Sequence, residues 1–456
     1  MLVYSLKILR KEEVTVKEAT SAQMPSCIFT VTIKMKRNNY WYPVDNAGKI
    51  FPAVSKDSRS SVFRLSFYLK DVILPERLEQ AVNDVLPRFE TFAVEMKSGF
   101  FWNYLSKNHN RATVRMEDPQ ICKFVPATLN HGYLFTVYYY NNKITLETFH
   151  ALSDGTGAME FLKSITYRYY QLGGLKLDHE GIIKATLPFN VDETADMFCD
   201  TYDKSKKKAL KEEAAYHIQG EKFADHYSML VRAKIPTEQL LTLARSKKAT
   251  IGEYVTALMA YCIYLKQPAC RKTKKPIKMF VPVNLRKFFI SPTLRNFSLY
   301  IKASFAGSRP WDFDQMLEAT KSQFKEQLNK EDLHGRINSN VSIEKNLAIK
   351  ILPLFIKNLA FQLSYYYLAE NINTYAISNL GNIQLPKQME ELIQDIEFSI
   401  GGTSMAIATI HGYTNLSFNT EFKDLSMIEA FLSHCTKAGL NIQIDTNYRE
   451  GFDEIL

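Results

Sequence analysis

Residues 143–161, KITLETFHALSDGTGAMEF, hold the stretch whose reading decides the fold. The first seven residues suit a strand that forms a hairpin with residues 132–140, with Asn141-Asn142 at the turn. Asp154 to Gly157 break that pattern. Residues 158–172 then place Phe161, Leu162, Ile165, Tyr169 and Leu172 on one side of a helix that Gly173-Gly174 stops. The segment reads as strand, tight turn, helix, with His150 at the end of the strand.

That position gives His150 its interest. A sheet can hold a histidine at a strand end in one rotamer, and its unperturbed pKa of about 6.5 makes imidazole the natural proton acceptor at neutral pH. Asp154, four residues on, can turn back to order the loop that Gly155 closes. The following helix brings backbone N–H groups close by. Such a histidine could deprotonate a hydroxyl or amine as it attacks a thioester carbonyl, with no covalent enzyme intermediate. No GxSxG-type nucleophile turn and no CxxC pair competes with this chemistry. A lone histidine is more often structural than catalytic. Its place between an alternating strand and an amphipathic helix, a third of the way along the chain, is what raises it.

Working outward, residues 61–69 alternate as a strand, and residues 75–89 carry Leu78, Ala81, Val82, Val85 and Leu86 at helical spacing behind Pro75. Residues 92–103 suggest two short strands. Later come a strand at 227–235, a helix from Pro236, and a helix at 250–265 with Val255, Leu258, Met259, Cys262 and Leu265 as its stripe. Strands at 277–283 and 298–305 and a helix at 312–328 follow. A strand from Tyr375 ends at Asn379-Leu380-Gly381-Asn382, residues 396–399, 405–410 and 414–419 read as an antiparallel meander, and 425–438 as a closing helix. The two halves share a rhythm, which predicts an α/β fold with α+β layering. With 456 residues the chain exceeds what one core usually supports. The expected division is an extension at 1–39, an N-terminal lobe at 40–191, a charged linker at 192–226 read as a solvated helix, and a C-terminal lobe at 227–456.

The balance of the chain narrows the function classes. A net charge of +9 over 456 residues is mild, and no basic block is interleaved with aromatics, so nucleic acid is not an expected partner. The 29 Phe and 25 Tyr can build large cores and line an apolar pocket. Cys27, Cys122, Cys199, Cys262, Cys270 and Cys435 are scattered without metal-ligand spacing, so free thiols, no metal and a cytoplasmic location are expected. Residues 347–368 are the nearest approach to a membrane span, but Lys350, Pro353, Lys357 and Asn358 interrupt them. They read as an amphipathic or buried helix that touches a membrane or a greasy substrate. His131, His411 and His434 read as structural, His217 and His226 as solvated, and residues 271–275 (RKTKK) as an exposed loop or a coenzyme A phosphate contact.

The segment His150-Ala151-Leu152-Ser153-Asp154-Gly155 resembles the HxxxDG motif of the chloramphenicol acetyltransferase-like superfamily of CoA-dependent acyltransferases, closest to its alcohol O-acetyltransferase branch and akin to condensation domains. Many condensation domains have a second histidine where Phe149 stands. Residues 42–52 resemble the substrate-side segment of bacterial members. Residues 281–286 (VPVNLR) with 295–301 (RNFSLYI) resemble the second-lobe arginine and Asn-Phe segment, and 378–381 (SNLG) the late turn beside the channel. The plant-type DFGWG motif is missing, and residues 400–403 (IGGT) do not replace it.

The resemblance implies two chloramphenicol acetyltransferase-like lobes in a pseudo-dimer with a central channel and His150 at its midpoint. Asp154 would pair with an arginine, for which Arg286 is the candidate, and Gly155 would leave room near the reacting centre. Asn296, Ser378 and Asn379 are candidate channel or substrate residues. The implied protein is a monomer with no tightly bound cofactor, taking acyl-CoA as co-substrate and an alcohol or amine as acceptor. An acyl carrier protein as donor, or a non-catalytic two-lobed binding protein, are the alternatives.

Overall fold

A computed structural model describes residues 41–448 except 58, 125–129, 206–211 and 367–370. The expected extension at 1–39 lies outside the described residues, as does most of the lysine run at 204–211. The strands are β1 (Trp41–Pro43), β2 (Val62–Leu69), β3 (Val94–Ser98), β4 (Asn103–Lys107), β5 (Val114–Met116), β6 (Phe135–Tyr140), β7 (Lys143–Phe149), β8 (Met229–Pro236), β9 (Ile277–Asn284), β10 (Ser298–Phe305), β11 (Tyr375–Asn382), β12 (Ile393–Ile400), β13 (Ser404–Ile410), β14 (Tyr413–Thr420) and β15 (Gln443–Thr446). The helices are α1 (Phe51–Val54), α2 (Pro75–Val85), α3 (Gly155–Leu172), α4 (Met197–Thr201), α5 (Thr237–Ser246), α6 (Ile251–Lys266), α7 (Phe313–Gln327), α8 (Lys330–Lys345), α9 (Leu347–Ile351), α10 (Leu354–Tyr365), α11 (Lys387–Leu392) and α12 (Ser426–Lys437).

The described residues form a five-stranded sheet of order β12-β2-β7-β6-β5, a seven-stranded sheet of order β10-β9-β11-β13-β14-β8-β15, and a small β1-β4-β3 sheet. Strand alternation builds the first core. Phe63, Leu65 and Phe67 of β2 pack with Ile144 and Leu146 of β7 against the Leu78-Val82-Val85 stripe of α2 and the Phe161-Leu162-Ile165 stripe of α3. The second core gathers Val255, Leu258 and Met259 of α6 with Met405 and Ile407 of β13 and Leu416 and Phe418 of β14. A third, smaller cluster joins Phe198, Phe297 and Leu333, and the first core also takes Ile396, Phe398 and Ile410 from the second half of the chain.

Three sequence readings are corrected. The meander does not form. β13 and β14 pair antiparallel, with Met405 opposite Phe418, but β12 leaves them and joins β2, with Phe398 opposite Leu65. It does so because Ile396 and Phe398 complete the first core while Glu397 on the opposite face meets Arg64 at 2.9 Å. Among its described residues the linker is not a solvated helix. Beyond the one short helix α4 it is pinned by buried pairs, Glu193 accepting from Arg88 at 2.7 and 2.8 Å and Glu212 lying 2.6 Å from Lys302. Residues 347–368 are not one helix: Pro353 separates α9 from α10.

Candidate active site

His150 follows β7, and its backbone N–H donates to Ser61 O at 2.9 Å, which extends the β2–β7 pairing by one residue. The ring is clamped between aromatics, stacked on Phe51 with centroids 4.6 Å apart and edge-on to Phe63 at 5.2 Å. The residue as a whole keeps partial solvent exposure, while the packed aromatics desolvate its ring. Burial lowers its pKa from 6.5, which leaves it neutral at pH 7.

The neutral ring is held by Asn296. Asn296 Nδ2 donates to the His150 carbonyl at 2.9 Å and to Asp45 Oδ2 at 3.1 Å. These two acceptors fix which way the amide points. Asn296 Oδ1 therefore faces His150 Nδ1, at 2.9 Å, and accepts its proton. The tautomer that results carries the lone pair on Nε2, the nitrogen for which no hydrogen-bond partner exists among the described residues. Asn296, expected on the sequence as a channel residue, thus acts on the histidine itself.

Sequence reasoning missed Asp45. It is fully buried, accepts from the Gly48 N–H at 2.6 Å, and lies 3.6 Å from Arg295 Nε. Burial pushes its carboxyl up to about 6, a rise that Arg295 opposes. In the turn-rich segment 42–52 an aspartate reads as a surface residue, and only the long-range approach of Asn296 and Arg295 gives it a role.

The loop after His150 is set by Asp154. Its Oδ1 accepts from the Thr156 and Gly157 N–H groups, both at 3.2 Å, and so caps α3. Its Oδ2 meets Arg286 Nη1 at 2.7 Å and the Phe297 N–H at 2.9 Å. Arg286 is itself positioned by the Thr293 and Arg295 carbonyls, at 2.9 and 2.6 Å. One carboxylate thus ties the loop after His150 to the second half's 284–297 segment. At Gly155 a Cβ would lie 2.8 Å from Leu380 Cδ2, a side-chain end that can move aside, whereas at Gly157 a Cβ would collide with the Leu294 carbonyl, which cannot.

Ser378 and Asn379 lie on β11 without a hydrogen bond to these residues. Asn379 is exposed and its Oδ1 accepts from the Gly381 N–H at 2.7 Å, closing the bulge in β11. Leu380 between them and Gly381 is the side chain that reaches the Gly155 turn. A cavity of about 330 Å³ opens beside the strand, lined by Pro52, Val62, Met96, Phe135, Glu147 and Phe149 among others. Its lining flanks Phe51 and His150 but does not include the imidazole. Three of the other histidines have hydrogen-bond partners away from this site: His131 Nδ1 with Arg111 O, His411 Nε2 with Ile393 O, and His434 Nε2 with Tyr254 Oη.

No protein-family model matches the chain, and no curated protein matches it in sequence. Solved structures do match in shape. Polyketide synthase associated protein 5 from Mycobacterium tuberculosis aligns with TM-score 0.55 at 14% identity, over 87% of this chain and 98% of that one. F. sporotrichioides TRI101, complexed with coenzyme A and T-2, aligns with TM-score 0.54 at 12% identity, over 89% and 99%. A mutant starter condensation domain of rhizomide synthetase RzmA, in complex with C8-CoA and Leu-SNAC, aligns with TM-score 0.56 at 11% identity, over 88% and 94%. At such identities the likeness speaks for architecture, and over nearly its whole length the chain has the two-lobed chloramphenicol acetyltransferase-like fold that condensation domains and acyltransferases share.

Proposed function

We propose that the chain is an acyltransferase that moves an acyl group from a thioester to an alcohol or amine with His150 as general base. One observation carries the reading: an Asn296 amide, anchored on Asp45 and on the His150 carbonyl, directs the Nδ1 proton inward and leaves Nε2 as the free base. Nε2 takes the proton of the acceptor as its oxygen or nitrogen attacks the thioester carbonyl carbon. The tetrahedral intermediate then collapses, the C–S bond breaks, and the leaving thiolate recovers the proton from Nε2. Asp154 and Arg286 hold the loop and are positioning residues. The fold is one on which coenzyme A and C8-CoA complexes have been solved, which supports acyl-CoA as a donor.

A thiol-release assay over a panel of acyl-CoA donors and of alcohol and amine acceptors tests this. Turnover with at least one pair is expected, and His150→Ala should lower it by about 10²–10⁴ at an unchanged melting temperature. Turnover in the His150→Ala protein equal to that of the parent rules out the base.

A further inference from the structure

The helix α10 buries a charge and exposes apolar side chains. On its inward side, next to Phe361 with its ring 6.2 Å from that of Trp102, Lys357 is 2% exposed, with Nζ donating to the Phe101 and Lys350 carbonyls at 2.9 and 3.1 Å and lying 3.8 Å over the Trp102 ring. Gln362 Nε2 reaches the Ala53 carbonyl at 2.9 Å, and Asn358 lines the cavity beside β7. Its outward side is apolar: Phe355, Leu359 and Leu363, spaced by four residues, are 72, 59 and 54% exposed. A helix on the surface of a water-soluble domain places these residue types the other way round. The patch continues past Pro353, where Leu347 and Ile351 of α9 are 73 and 63% exposed. It also includes Phe100 at the β3–β4 turn, 70% exposed and tied to α10 by the Leu354 N–H donating to the Phe100 carbonyl at 2.8 Å. Such a continuous apolar surface marks an interaction site.

We propose that this face docks on the surface of an anionic lipid bilayer. The charge pattern selects that occupant. From Asn346 to Tyr366 the chain has no Asp or Glu and two lysines, of which Lys357 is buried inward. Lys350 is exposed between Leu347 and Ile351. Facing anionic headgroups, that ammonium is favourable while the apolar side chains enter the acyl boundary. Against a second copy of the chain, two such patches would bring their lysines together with no carboxylate in either to pair them. Among the described residues no helix is long and apolar enough to cross a membrane, so the contact is peripheral. Because α10 also lines the cavity through Asn358, a lipid-soluble acceptor or acyl chain at the surface has a short way in. That last step rests on the acyltransferase reading, whereas docking itself does not.

Co-sedimentation with sucrose-loaded vesicles tests docking without any assay of turnover. The full chain should pellet with phosphatidylcholine–phosphatidylserine vesicles and more weakly with phosphatidylcholine alone. Phe355→Ser with Leu359→Ser, both outward and checked for unchanged melting, should weaken the partition by about tenfold or more. No pelleting of the parent chain, or equal pelleting of the double variant, overturns the proposal. Equal binding to uncharged vesicles overturns its electrostatic part. A parent chain that sediments as a dimer and becomes monomeric on the double substitution, with no vesicle binding, assigns the face to a second copy instead.

Discussion

Among the described residues His150 makes one ring hydrogen bond, to Asn296, and that bond decides which nitrogen is basic. Its pKa falls because burial disfavours the charged ring, and the Asn296 bond and the Asp154 charge pull the other way. The base form is therefore the one present above a pKa that lies below 6.5. The expected kcat/KM profile is flat through pH 7 and falls on the acid side as the ring protonates, with its midpoint under 6.5. Asn296→Ala removes a contact that favours the cation, so the acid limb should move to still lower pH. The plateau should drop by about tenfold as the ring loses its orientation, the worth of one hydrogen bond. A lower plateau with an unmoved limb would show that Asn296 only packs. His150 was legible because strand, turn and helix signals converge on it in one short stretch. Asp45 was not, since burial and an amide 251 residues away give it meaning.

At the scale of elements, the hairpin and the helical stripes were readable because period two and period 3.6 are local properties. The helix α8 escaped notice, although Leu333, Ile337 and Val341 are spaced by four, because polar and charged residues surround them and Gly335 interrupts the pattern. For residues 347–368 the sequence left an amphipathic and a buried helix both open, because periodicity reports that a helix has two faces and not which one turns inward. α3 depends on its first turn. Asp154→Asn keeps an oxygen for the Thr156 and Gly157 N–H groups, and Asn is as good a cap. What it removes is the charge opposite Arg286, whose side chain is 12% exposed. Breaking a buried pair costs about 3–5 kcal/mol, and the Thr293 and Arg295 carbonyls that still hold Arg286 place this case near 3. Thermal melts should show that loss together with lower activity, and Asp154→Ala should lose about 1 kcal/mol more with the cap. Unchanged melting in Asp154→Asn would mean that the pair contributes nothing to the loop.

At the scale of the molecule, the decisive feature is β12. The sequence rhythm suggests two halves that close on themselves, yet the five-stranded sheet takes its edge strand from the second half. Which sheet a strand joins depends on contacts hundreds of residues apart, which no local pattern records. β12 is fastened on its polar face. Glu397, pushed up by burial but held down further by Lys143, Arg64 and Arg232, titrates at about 2. Its contribution is whole above 4.5, its ordinary value, and is lost as pH falls through 2. Asp395, two residues earlier, accepts from Arg232 at 3.1 Å and Lys234 at 3.0 Å, both on β8, and from Asn415 on β14 at 2.9 Å. It joins the strand of one sheet to two strands of the other. The two halves should therefore unfold together, with Trp102 and Trp311 giving coincident urea transitions when each is the sole tryptophan. Asp395→Ala takes the carboxylate partner from Lys234 and one of two from Arg232, which keeps Asp445 at 2.6 Å, a cost of about 3 kcal/mol for a broken buried pair. It should lower both midpoints and separate them, because the first core keeps β2 and β7 without the second half's hold on β12. Coincident transitions in the variant, shifted or not, would place the coupling of the halves elsewhere, in the Asp154–Arg286 pair beside the histidine.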